Sequence, residues 1–152
     1  MPRLPKHPKV RGELAEAQFV PVAIRRGFRV AKPFGDSAPY DFLLEKNGVT
    51  ARVQVKATAR RIAHGWFQLA TRRGVRKRFY SAREIDFVVA YLFLEDIWYV
   101  IPVREVTGRT IFVRPGSGGK YEKFREAWGL LAWGRRKVPR LARAKAARAR
   151  SG

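Results

Sequence analysis

The sequence predicts an α/β domain: a mixed sheet of four or five strands flanked by helices. Three observations carry that prediction. Apolar residues recur at helical spacing over 12–26 and end at Gly27, Asn47-Gly48 marks a tight hairpin, and two strongly apolar segments, 85–94 and 97–103, meet at Glu95-Asp96.

The elements follow in order. Residues 1–11 hold three prolines and scattered positive charge and read as an irregular basic lead-in. The stretch 12–26 reads as a helix with Leu14, Ala15, Ala17, Phe19, Val22, Ala23 and Ile24 as its apolar set. Pro21 lacks an N–H and is expected to kink or split it. Phe28-Arg29-Val30 is a short strand, and 33–39, with two prolines, Gly35 and Ser37, is a loop leading to Asp41. A hairpin covers 40–56. Residues 66–70 form a further strand, followed by the cluster Arg72, Arg73, Arg76, Lys77 and Arg78. The segments 85–94 and 97–103 carry enough Val, Ile and aromatics to be central in a sheet. One helical turn over 104–107, a short strand over 110–113 and the linker Pro115-Gly116-Ser117-Gly118-Gly119 come next. A helix over 121–133 is expected to bury Phe124, Trp128 and Leu131. The reading gives a lead-in (1–11), one domain (12–133) and a basic tail (134–152) that lacks an apolar face, is expected to be disordered when free and orders on a polyanion.

Most of the chemistry lies in the hairpin. Asn-Gly favours a two-residue type I′ turn, in which Lys46 faces Val49. Counting back along both strands places Asp41 opposite Gln54. Side chains alternate, so Gln54 and Lys56 share a face while Val53 and Val55 take the other. Asp41, Gln54 and Lys56 then cluster, with opposed Cβ atoms about 5 Å apart and the diagonal neighbour at about 7–8 Å. A carboxylate, an amide oxygen and an ammonium together suit a metal and a phosphate.

Composition narrows the chemistry. The 152 residues are enough for one domain with a real core, and 46% are hydrophobic. No apolar run approaches the roughly 18 residues of a membrane span, and the basic start lacks a secretory signal's hydrophobic stretch, so a cytoplasmic protein with no membrane partner is expected. There is no cysteine, and only His7 and His64 offer imidazole. Any metal is therefore a hard, oxygen-bound ion such as Mg²⁺ or Mn²⁺. Lys and Arg number 33 against 12 acids, a formal +21. The stretch 135–150 holds eight basic residues, Arg135, Arg136 and Lys137 at its head, and no acid, which leaves +13 on the remainder. Such a surface attracts polyanions by counterion release, and nucleic acid is the expected partner.

With these residues in place a family resemblance emerges. Glu13 in a first helix, Gly27-Phe28 leading to a strand, Tyr40-Asp41 opening the next and Gln54-Val55-Lys56 closing the third resemble the PD-(D/E)XK nuclease superfamily. The pattern is closer to the branch containing a group I intron-encoded homing endonuclease, where Gln stands in the Glu position. Archaeal Holliday junction resolvases share it more distantly. The likeness covers residues 12 to about 131. It implies a restriction-endonuclease-like fold and a metal-dependent DNA endonuclease. The implied metal ligands are Asp41, Gln54, the Val55 carbonyl and Glu13, while Lys56 orients the attacking water and offsets charge on the phosphorane. It also implies duplex or branched DNA as partner, a dimer or tetramer for cutting both strands, and a nucleoid-associated protein of prokaryotic type. Three departures stand out. Gln54 removes a negative charge, in Ala38-Pro39-Tyr40-Asp41 the proline is displaced from beside the Asp, and Pro21 sits in the first helix.

Each residue also has a plainer reading. Asp41 alone caps a strand-start turn, Gln54 is a surface amide, Lys56 guards a sheet edge, and Glu13 suits the dipole of a helix's first turn. The tryptophans read as core, and Arg72–Arg78 as either a solvated loop or phosphate contacts. Two rival functions follow from the charge: a non-catalytic nucleic-acid-binding module on a nuclease-like fold, and an RNA- or ribosome-associated basic protein.

Overall fold

The computed structural model describes residues 3–73 and 78–133. Among these residues there is one α-helix, α1 (Pro8–Arg25), which begins inside the segment expected to be irregular. Pro8 occupies the first turn, where a missing N–H costs no bond. The helix also continues through Pro21 rather than splitting there. Pro21 lies on the exposed side, so its freed backbone group faces water, while Ala15, Phe19 and Ala23 are buried on the opposite side. Gly27, at φ +83°, ends the helix as expected.

A five-stranded mixed sheet follows, built from β1 (Arg29–Ala31), β2 (Phe42–Lys46), β3 (Val49–Thr58), β7 (Phe87–Leu92) and β8 (Ile97–Pro102) in the order β1-β2-β3-β7-β8. β3 and β7 run parallel and the other pairs antiparallel. Asn47 (φ 52°) and Gly48 (φ 75°) both take the left-handed conformation a type I′ turn requires. The register is the expected one, Lys46 opposite Val49 and Phe42 opposite Val53.

Smaller elements lie outside this sheet. β4 (Phe67–Ala70) pairs with β9 (Thr110–Val113) in a separate two-stranded sheet, and the short strands β5 (Arg72–Arg73) and β6 (Arg78–Phe79) pair with each other. The expected turn after β8 forms over Val103–Glu105.

Two expectations give way. β8 is an edge strand, not a central one. Its outer edge is closed by Glu126, whose N–H donates to the Trp98 carbonyl (2.8 Å) and whose carboxylate accepts the Trp98 N–H (2.7 Å), so an apolar strand sits at an edge without exposing it. Nor is 121–133 an α-helix. It forms two 3₁₀ segments, Glu122–Phe124 and Trp128–Trp133, because Glu126 sits at φ 50°, outside any right-handed helix. Phe124, Trp128 and Leu131 are nonetheless buried.

The sheet separates two apolar layers. On one face α1 delivers Phe19 between Phe42, Trp98 and Trp128, at ring centroid distances of 5.2, 5.9 and 6.0 Å. Val53 and Val55 point into this layer. On the other, Phe67, Leu69, Ile111 and Val113 of the small β4-β9 sheet pack with Ala90, Leu92, Tyr99 and Ile101. Gln54 and Lys56 have the opposite parity to Val53 and Val55, and both are half-buried. Among the described residues no helix is long and apolar enough to cross a membrane.

Candidate active site

β2 covers β3 only as far as Val53, and from Gln54 to Thr58 β3 has only β7 beside it. This open edge forms one wall of a cleft of about 890 Å³, and the first turns of α1 form the other. Gln54, Val55, Lys56 and Arg60 line the strand side; Lys9, Arg11, Glu13 and Glu16 line the helix side, with Lys32 also at the wall.

Asp41 enters where the 33–39 loop joins β2. Its N–H donates to the Val53 carbonyl (2.8 Å), which extends the hairpin by one residue and fixes the carboxylate opposite Gln54. Asp41 Oδ2 accepts two hydrogen bonds, from Gln54 Nε2 at 2.6 Å and from the Val55 N–H at 2.8 Å. Gln54 Nε2 also lies 3.5 Å from the Val55 carbonyl oxygen. A half-turn of an amide exchanges its N–H₂ for its oxygen. Three oxygens, from a carboxylate, a main-chain carbonyl and an amide, can therefore face one point.

The electrostatics are those of charges held out of water. Burial raises the Asp41 pKa from its ordinary 3.8, and the negative charge of Glu16 adds to the rise. The Val55 N–H, Lys56 and Gln54 pull the other way. Burial lowers the Lys56 pKa from 10.5, against the attraction of Asp41 and Glu16. Lys56 Nζ also lies over the Tyr80 ring, 5.4 Å from its centroid.

Glu16 is the residue that sequence reading passed over. It is one turn beyond Glu13, on the same helix side. Both line the cleft, but it is Glu16 whose charge Asp41 and Lys56 feel, and Glu16 is half-buried where Glu13 is exposed. The Glu13–Glu16 spacing was the available signal. Glu13 is also not in the first turn, because α1 starts at Pro8, so the dipole reading of Glu13 fails; that turn holds no acid. Glu16 Oε2 is paired with Lys32 Nζ at 2.5 Å.

The basic residues divide. Arg72, Arg73 and Arg78 have their backbones in β5 and β6. Arg76, Lys77, Arg135, Arg136 and Lys137 lie outside the described residues. Trp98 and Trp128 are core, as expected, but Trp66 is half-buried under the Arg114 guanidinium (5.5 Å) and Trp133 is exposed. Among the described residues no three His, Cys, Asp or Glu side chains gather as a metal cage.

A family model described as PD-(D/E)XK endonuclease matches residues 6–127. The chain belongs to the PD-(D/E)XK endonuclease family. This PD-(D/E)XK endonuclease is similar in structure to a bacterial homing endonuclease, I-Ssp6803I, with a TM-score of 0.72 and 28% identity over 83% of this chain and 91% of the other. Hjc of Archaeoglobus fulgidus, a Holliday junction resolvase from an archaeal hyperthermophile, gives a TM-score of 0.48 and 13% identity over 73% of this chain and 87% of its own. No curated protein matches it in sequence. The fold is restriction-endonuclease-like and the protein is a nuclease.

Proposed function

We propose that this nuclease is a divalent-metal-dependent endonuclease that hydrolyses phosphodiester bonds in DNA. The observation that carries the reading is the 2.6 Å contact of Asp41 with Gln54, which lines a cleft whose walls add Lys56 and Glu16. The donor set fits a hard cation: all its atoms are oxygens, and a positive ion relieves the repulsion between the half-buried Asp41 and Glu16 carboxylates. Mg²⁺ or Mn²⁺ held there activates water and neutralises charge on the non-bridging oxygens.

The chain's own residues do the rest. Asp41 and the Val55 carbonyl hold the ion, and Gln54 adds its amide oxygen after turning over. Glu16 serves as the second carboxylate, the role the sequence suggested for Glu13, which stays at the rim as the alternative. Lys56 donates to the attacking water and to the phosphorane, and its half-buried position makes its charge count for more than it would in water.

Net charge of +21 and the likeness to a homing endonuclease support DNA as the substrate. Arg72, Arg73, Arg76, Lys77 and Arg78, with Arg135, Arg136 and Lys137, contact phosphates along it. One site per chain means that cutting both strands takes a dimer, a tetramer or two successive nicks.

The test is nicking of supercoiled plasmid with Mg²⁺, Mn²⁺ or EDTA. Metal-dependent nicking that both Asp41→Ala and Lys56→Ala abolish is the expected result. A second reading, a binding module without catalysis, is favoured by Gln54 standing where a carboxylate is usual. Salt-sensitive DNA binding with no nicking in either metal would establish it instead.

A further inference from the structure

We propose that Phe34 is a base-contacting residue that stacks on a nucleobase beside the phosphate lodged in the cleft. The proposal rests on the nuclease reading and adds a contact that none of the motif residues supplies.

The first observation is exposure. Among the described residues seven large apolar side chains are exposed; six lie between 42% and 56%, and Phe34 is at 105%. It buries nothing against its own chain. The second is position. Both ends of the loop that carries it are anchored at the cleft. Lys32, two residues before, is paired with Glu16 at 2.5 Å and sits 4.9 Å over the Phe42 ring. Asp41 closes the other end on Val53 and Gln54. Two residues reach at most about 7 Å, so the Phe34 Cα is held within about that distance of the Cα of a cleft-wall lysine. That is the scale of the step from a phosphate to its own base. Pro33 before it fixes one backbone dihedral, and Gly35 after it takes the left-handed conformation at φ +75°.

The third observation is charge, which selects the occupant. The cleft's rim carries Lys9, Arg11, Lys32 and Arg60 against Glu13 and Glu16, four cations to two acids. A nucleic acid matches this rim, since it brings phosphates for the cations and π-faces for the ring. Stacking is tolerant of sequence because every base has such a face. Phe34 therefore holds the strand in register with the cleft rather than reading its sequence.

The test compares the full-length protein with Phe34→Ala, Phe34→Leu and Phe34→Trp, binding a mixed-sequence single strand, whose base faces are free, and a four-way junction in EDTA across a salt series. Phe34→Ala is expected to weaken binding about 5- to 100-fold, the range one base–aromatic stack supplies. The slope of log affinity against log salt should not change, since no phosphate contact is lost. Phe34→Trp should keep the wild-type affinity and Phe34→Leu should resemble Phe34→Ala. The melting temperature of Phe34→Ala should equal that of wild type, because the ring buries nothing.

Equal affinity of Phe34→Ala and wild type, in a protein that still nicks plasmid, overturns the inference and leaves the nuclease reading intact. So does a Phe34→Ala protein that sediments as a smaller species, which makes the ring a subunit contact, or one that melts lower, which makes it a packing residue. A wild-type protein that neither binds nor cuts removes both.

Discussion

Arg52 and Asp86 hold together the two parallel strands on which the site is built, and the cost of separating them can be worked from their surroundings. The Arg52 side chain is 11% exposed and that of Asp86 7%. Nε and Nη2 of Arg52 donate to Asp86 Oδ2 and Oδ1 at 3.1 and 2.9 Å, while Nη1 and Nη2 reach the carbonyls of Arg83 and Ala82. The Arg52 N–H adds a 2.8 Å bond to Oδ2. Arg52→Met fills similar volume but leaves a buried carboxylate without its guanidinium, which costs about 3–5 kcal/mol. Total stability is about 5–15 kcal/mol. For a chain of this size each kcal/mol moves the midpoint by roughly 2–4 °C, so Arg52→Met should melt roughly 6–20 °C lower. Urea titration and thermal melts followed by circular dichroism measure this directly. Arg52→Met/Asp86→Leu, with both charges gone, should recover most of the loss. A single mutant within about 1 kcal/mol of wild type, or a double mutant worse than the sum of the singles, would refute the reasoning.

Two further outcomes follow from the site. Asp41→Asn should abolish metal-dependent nicking yet raise stability at neutral pH by about 0.5–2 kcal/mol, because the amide keeps an oxygen for Gln54 and Val55 but sheds a half-buried charge that feels Glu16. The sign follows from the pKa: Asp41 is raised above 3.8 on folding, so its penalty is full above the raised value and gone below 3.8, and the advantage of Asp41→Asn in melts should fade as pH falls through that window. Gln54→Glu returns a carboxylate beside Asp41 and should tighten Mn²⁺ binding by about tenfold or more, as read by calorimetry without DNA; unchanged affinity would mean that position 54 does not face the ion.

Much of the sheet was legible because its signals are local. Asn47-Gly48 has one comfortable conformation in a hairpin, and its turn fixes the register that puts Asp41 opposite Gln54. The parity of Val53 and Val55 against Gln54 and Lys56 then follows from the pleat. Long apolar runs located β7 and β8, but composition could not order them: Ile97–Pro102 reads as a central strand, yet it is an edge that a distant glutamate, Glu126, closes. The same glutamate, at φ 50°, divides a segment whose Phe124, Trp128 and Leu131 otherwise look helical. Pro8 and Pro21 misled in opposite directions. Proline's effect depends on whether its missing hydrogen bond falls in a first turn or on a wet face, and only the packed helix decides that.

By itself, then, the sequence determined the hairpin, the acid–amide–lysine order along it, the lack of cysteine and the strongly positive charge, all of which depend on near neighbours or on composition. The tertiary structure decided which helix carboxylate joins them. Glu13 and Glu16 differ by one turn, and where α1 crosses the open edge of β3 is set by Phe19 seating among Phe42, Trp98 and Trp128, rings from distant parts of the chain. Packing between distant segments has no local signature, so the partner of Asp41 could be found only once the core had formed.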